Sequence, residues 1–194
     1  MVQNNPKFQQ IIKTGKDLFW KFGVKRVSIE EICKEASVSK VTFYKYFKNK
    51  VELAKYILET NFNEAVIEYR SIMDSDIPFV EKVNKTIQMK LDNADHYSKE
   101  FLEDLYKGNV PELHEYIMKY SEENFKMVAV DYRKAQKEGH IRKDFKIEFM
   151  MVFLNKMIEM AGDPNFTSLY KSPHDMVKEF THLFFYGIIE RGNN

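Results

Sequence analysis

The stretch Ser28 to Phe47, SIEEICKEASVSKVTFYKYF, constrains this chain more than any other. Ser28-Ile29-Glu30-Glu31 has the form of a capping box, in which the serine hydroxyl accepts from the third helical amide and Glu31 reaches back to the serine amide. Ile29, Ile32, Cys33 and Ala36 continue as an inward stripe of helical period. Ser37-Val38-Ser39 reads as a tight turn, with Val38 plugging the angle and Ser39 capping a second helix over Lys40–Phe47. In that helix the spacing of Val41, Tyr44 and Phe47 predicts that they face the core, joined by Phe43. Lys40, Thr42, Lys45 and Tyr46 are left on the outside or the rim.

The rest of the chain reads as helix on either side of this turn. Phe8, Ile11, Ile12, Leu18, Phe19 and Phe22 predict a first helix over Pro6–Phe22 that packs under the next two. Gly15 falls on that stripe, where a missing side chain permits close approach. Gly23 follows it in the position of a left-handed C-terminal cap. A long fourth helix is expected over Lys50–Met73, carrying Leu53, Ile57, Phe62, Val66 and Tyr69. Asp74–Pro78 breaks the pattern. Further helices are predicted over Phe79–Leu91, Tyr97–Tyr106, Glu112–Glu138, Phe145–Ala161 and Pro173–Glu190. Gly108-Asn109-Val110-Pro111, Gly139 and Gly162-Asp163-Pro164 separate them, and Ser172 with Pro173 starts the last. No strand-like alternation survives, so the expected fold is all-α. It comprises a three-helix N-terminal helix-turn-helix domain (residues 1–50) and a larger helical C-terminal domain (residues 51–194).

Charge divides the chain at the same place. Residues 1–50 hold eleven Lys and Arg against four Asp and Glu, a net +7, and residues 51–194 carry a net −6. A basic head on an acidic body is an electrostatic footprint for nucleic acid. A single Cys excludes a disulfide framework and a Cys-rich zinc site, and Cys33 itself reads as a small core residue. The five histidines show no metal-ligand spacing, and no cofactor or metal is expected. No phosphate loop, nucleophile elbow or HExxH pair appears, so an enzyme is not expected either. Met1 to Lys16 is polar, unlike a signal peptide, and no stretch approaches the ~18 apolar residues of a spanning helix. A cytoplasmic protein without a membrane partner is the expectation.

The two C-terminal helices are apolar around their circumference, a pattern that requires burial on two sides. One side is expected on the chain's own core and the other on a second copy, through Met150, Met151, Leu154, Phe180, Phe184, Gly187 and Ile188. Such a two-fold dimer would present two heads to a pseudo-palindromic DNA site.

Ser28, Ile32, Ala36, Val38-Ser39, Thr42, Phe43-Tyr44, Tyr46-Phe47, Lys50 and Leu53, behind a helix ending in Leu18-Phe19 and Gly23, resemble the N-terminal signature of the TetR family of bacterial transcriptional repressors. The resemblance covers roughly residues 8–55. It departs at Ser37, where the family often has Gly, at Cys33, which replaces a common Ala, and at Tyr46, where His is frequent. A positive φ at Ser37 would cost roughly 1 kcal/mol.

With the helix entering the major groove, Lys40 and Thr42 are placed for base edges. Ser28, Ser39, Lys45, Lys48 and Lys50 are placed for phosphates. Tyr44 and Tyr46 are read as phosphate contacts, as the resemblance also implies, with Tyr44 open to a second reading as a core aromatic whose hydroxyl reaches the surface. The resemblance further implies an inducer pocket in the C-terminal domain. Its candidates here are Met89, Phe101, Leu105, Tyr106, Met118, Phe125, Phe149, Phe153 and Met157, suited to an apolar or aromatic small molecule. The implied function is a homodimeric repressor released from its operator by that ligand. The competing reading is a ligand-independent or architectural DNA-binding protein of the same fold.

Overall fold

The computed structural model describes residues 5–94 and 96–188, apart from the side chains of residues 93, 94, 151, 158, 162, 185, 187 and 188. The described residues form ten helices: α1 (Pro6–Phe22), α2 (Ile29–Glu35), α3 (Lys40–Tyr46), α4 (Lys50–Met73), α5 (Phe79–Ala94), α6 (Lys99–Tyr106), α7 (Pro111–Lys137), α8 (Ile147–Gly162), α9 (Pro164–Thr167) and α10 (Pro173–Ile188). The short α9 falls in the expected break. Asp163 caps it by accepting from Asn165 N at 2.8 Å, and Pro164 opens it with the φ a first helical residue needs. No described helix is long and apolar enough to cross a membrane.

The chain packs as two compact units. The first takes residues 1–66 and 96–117, and the second takes residues 67–95 and 118–194. The first unit thus contains the helix-turn-helix but adds most of α4, α6 and the start of α7. Its core shows why. Phe8, Ile11, Phe19, Ile32, Phe43 and Phe47 of α1–α3 and the turn after α3 are closed over by Leu53, Ile57 and Leu58 of α4 and by Phe101, Leu105 and Leu113. Three short helices bury too little apolar surface to stand alone, and α4 and α6 supply the rest. Gly15 works as expected: a Cβ there would lie 2.8 Å from Leu53 Cδ2, so its absence lets α4 close on α1. At the start of α4, Glu52 N donates to Asn49 Oδ1 (2.8 Å) and Lys48 N donates to Glu52 Oε2 (2.5 Å), a reciprocal pair that fixes the angle out of α3.

Three of the expected pocket residues lie in this core or against it. Phe101 and Leu105 are fully packed among the helices that support the turn, and Tyr106 lies half-buried against the same cluster. An amphipathic α6 docked on α1 carries these side chains into the core of the first unit.

The second unit is built around Phe79, Val83, Ala129, Tyr132, Ile141, Phe145, Ile147, Met150 and Phe184. Its central polar contact is a fork: Arg70 Nη1 donates to both oxygens of Asp131 (3.0 Å each) and the Tyr69 hydroxyl donates to Asp131 Oδ2 at 2.9 Å. Burial, reinforced by Asp131, pushes the Tyr69 hydroxyl far above the usual tyrosine range.

Two expected interface residues are also corrected. Met150 is fully buried and Phe184 is buried in the unit's own core, where Phe153 stacks on it at 5.9 Å. Leu154 packs half-buried on that core and Phe180 stacks on Phe166 at 5.4 Å. The side chains of Met151, Gly187 and Ile188 lie outside the described residues. On α8 and α10, among the described side chains, the large apolar residues that face solvent are Phe149 (57% exposed), Val152, Met160, Leu183 and Tyr186. A helix apolar on every side carries no sequence signal for which side its own core takes.

Candidate nucleic-acid interface

Both helices of the turn are capped as their sequences dictate. Ser28 Oγ accepts from Glu31 N at 3.1 Å and Ser39 Oγ accepts from Thr42 N at 3.1 Å. Glu31 does not return to the serine amide; its carboxylate lies 3.7 Å from Arg26 Nη1. Ser37, at the position where the family often has Gly, adopts the left-handed φ of +52°, with Val38 N donating to Cys33 O at 2.9 Å. Cys33 is buried beneath, and burial raises its thiol pKa, which suits a core residue and not a redox sensor.

The face of α3 differs from the expected one. Phe43 and Phe47 point inward, while Val41 is 82% exposed and Tyr44 54% exposed. In a seven-residue helix two stripes compete for the core, and the paired phenylalanines bury the larger apolar area. Val41, Tyr44 and the exposed Lys45 thus share an outward surface, bordered by Lys40 and Lys48. Tyr46 is half-buried, its ring set edge-on to Phe8 at 5.2 Å. Thr42 is half-buried, its hydroxyl 3.0 Å from that of Ser39. The Lys40 amine is hydrogen-bonded to Glu30, which raises the lysine pKa and lowers that of the carboxyl. Both groups are exposed, so the pair is easily exchanged for another partner.

Lys50 is turned inward. Its amine donates to Lys25 O and Val27 O, each at 2.7 Å, and burial lowers its pKa against the opposing pull of Asp104. The phosphate contact expected of Lys50 is not what this amine does: it holds the α1–α2 loop to the start of α4. The same loop is held from α6, where the buried Asp104 accepts from Lys25 N at 2.8 Å. Gly23 makes this possible. Its N–H donates to Phe19 O as a cap should (2.8 Å), but φ 78° and ψ 155° send the chain on extended instead of through a left-handed turn. The sequence signalled the glycine; it gave no sign of Asp104, eighty-one positions on, or of Ser98 N donating to Trp20 O at 2.9 Å.

What the surface offers is a capped helix with an apolar and aromatic outward face, flanked by lysines and backed by a rigid loop. A helix of this width fits the major groove, with flanking cations at the phosphates.

Comparison with known proteins points the same way. Residues 11–57 match the family model described as bacterial regulatory proteins, tetR family. An HTH-type transcriptional regulator of Staphylococcus aureus (strain bovine RF122 / ET3-1) is 29% identical over 89 residues, 44% of this chain and 48% of that protein. The fatty acid metabolism regulator protein of Bacillus subtilis (strain 168) is 32% identical over 98 residues, 50% of this chain and 47% of that one. In these matches the chain spans about half the length of the curated relatives. In fold it is similar to the fatty acid degradation regulator FadR from Bacillus halodurans, at a TM-score of 0.73 and 19% identity over 95% of this chain and 97% of that chain. With residues 11–57 matched by that family model and the helical architecture matched in fold, the N-terminal helix-turn-helix of this chain is that of the tetR family of bacterial regulatory proteins.

Proposed function

We propose that this protein is a sequence-specific DNA-binding transcriptional regulator, a cytoplasmic homodimer that represses from a pseudo-palindromic operator and is released by a small apolar or aromatic ligand. The observation that carries the reading is the outward face of α3, where Val41, Tyr44 and Lys45 stand exposed on a helix held by two serine caps. Functionally, residues 1–50 act as the DNA-binding head and residues 51–194 as the ligand-binding and dimerisation body. Lys45 and Lys48 contact phosphate, Ser28 and Ser39 present helix N-termini to the backbone, and Tyr44 adds a hydroxyl. Tyr46 contributes chiefly through packing. Lys50 acts by positioning. Lys50→Met is expected to lower the stability of the first unit by about 3 kcal/mol, because two charge-assisted hydrogen bonds are lost together, while leaving the salt dependence of DNA binding unchanged. Urea titration followed by Trp20 fluorescence and anisotropy titrations at several salt concentrations check both. A slope reduced by about one charge at unaltered stability would put that amine on a phosphate instead.

The dimer rests on the solvent-facing apolar residues Phe149, Val152, Leu183 and Tyr186 of α8 and α10. An open hollow bounded by Asp175, Lys178, Glu179, His182, Leu183 and Tyr186 is formed by one helix only, as expected of a surface that meets a second copy. Leu183→Glu combined with Val152→Glu is expected to convert a dimer to a monomer by light scattering at micromolar concentration. A wild-type monomer under those conditions would contradict the assignment.

For the ligand, the half-buried Met89, Met118, Phe125 and Met157 of the second unit are the remaining candidates. Relatives named for fatty acid metabolism make an acyl chain the first probe. The ligand-independent reading draws support from Phe101 and Leu105, which are core. A series of fatty acids and their thioesters that neither shifts the melting temperature nor releases DNA would favour it.

A further inference from the structure

We infer that Val41 is the residue through which α3 reads base sequence, and that what it reads is the 5-methyl group of thymine. This rests on the DNA-binding reading above and adds the chemistry of the base contact. The N-terminal residues of a major-groove helix are those that reach base edges, and α3 offers three there: Lys40, Val41 and Thr42. Two are occupied. The Lys40 amine is hydrogen-bonded to Glu30, and the half-buried Thr42 has its hydroxyl 3.0 Å from that of Ser39, which also caps the helix. Val41 alone has nothing to give up, standing 82% exposed at the second helical position with the half-exposed Tyr44 one turn on.

A valine there can form no hydrogen bond, so it cannot report the donors and acceptors of guanine, adenine or cytosine. The apolar group that the major groove presents is the thymine methyl. The side chain is also stiff: a β-branched residue in a helix holds one χ1 rotamer, so little conformational freedom is lost on contact. Specificity at this position therefore takes the form of apolar contact.

The test uses the full-length protein. Duplexes are first selected from a random pool, and the enriched site is then titrated by fluorescence anisotropy with each thymine in turn replaced by deoxyuridine, which lacks only the methyl. The expected result is one thymine per half-site whose demethylation weakens wild type about fourfold, the ~0.8 kcal/mol of one buried methyl taken at 1.4 kcal/mol per tenfold. In Val41→Ala the same replacement changes affinity by less than about 1.5-fold. The substitution sits at an exposed helix position and exchanges valine for a better helix former, so the fold is kept, which circular dichroism verifies. If no thymine is sensitive, or if Val41→Ala retains the full sensitivity at every position, the inference is overturned while DNA binding stands. If no duplex is enriched at all, the DNA-binding reading fails and takes this inference with it.

Discussion

Gly23→Ala is expected to lower the stability of the first unit by about 3 kcal/mol or more and to abolish high-affinity DNA binding at moderate temperature. Two costs add. With φ 78° and ψ 155° the residue occupies a region open almost only to glycine, where any Cβ is strained. That Cβ would also meet Asp104 Oδ2 at 2.7 Å and the Glu100 carbonyl oxygen at 3.2 Å. Glu100 O is helix backbone and cannot give way cheaply. If Asp104 yields instead, Lys25 N and a buried carboxylate lose each other, at about 1–3 kcal/mol. Gly108→Ala is the control. Its φ is 76° but nothing lies within 4 Å of its added Cβ, so only the conformational cost of about 1 kcal/mol applies. Trp20, the one tryptophan of the chain, lies in α1 against Tyr97 at 5.2 Å, and its fluorescence reports unfolding of this unit. Equal midpoints for the two alanine variants would contradict the clamped loop.

Lys45→Ala together with Lys48→Ala is expected to flatten the dependence of binding on salt. Each phosphate contact contributes a slope of about 0.9 in log K against log salt. Two heads carrying two lysines each lose about 3.6 in slope, and affinity at 0.1 M salt falls on the order of a thousandfold relative to wild type while the values converge near 1 M. The loss is the same on specific and random duplexes, because backbone contacts carry no sequence information. Val41→Ala is expected to do the opposite, altering sequence preference with the slope retained. A double lysine variant with the wild-type slope would place the phosphates elsewhere on the molecule.

The features that the sequence made legible are local ones. Ser28 and Ser39 cap their helices because a cap is decided within three residues. Ser37 takes a positive φ at the turn position where the resemblance places a glycine. Features decided by distant packing were not legible. The i, i+3 spacing of Val41 and Tyr44 suggested core, yet Phe43 and Phe47 took the inward face once α1 and α4 offered them aromatic partners: Phe8 stacks on Phe47 at 5.6 Å. The place of Phe101 and Leu105 in the first unit's core was not legible, because nothing in residues 97–106 says that α6 docks against α1. Lys50 looked like a phosphate contact because its charge was visible and its two carbonyl acceptors were not. In α8 the apolar residues surround the helix, so only the folded unit separates the buried Met150 from the exposed Phe149.

The central claim is that the outward face of α3 recognises a particular DNA sequence. Selection of duplexes by the full-length protein, run in parallel with Val41→Ala and Lys45→Ala variants, tests it most directly. The expected result is enrichment of one pseudo-palindromic site by wild type, with binding to that site at least a thousandfold tighter than to random duplex, an altered preference in Val41→Ala, and an unchanged preference with weaker binding to every duplex in Lys45→Ala. A pool that stays random at low salt, or a site bound equally well by protein with the α3 face altered, would contradict it.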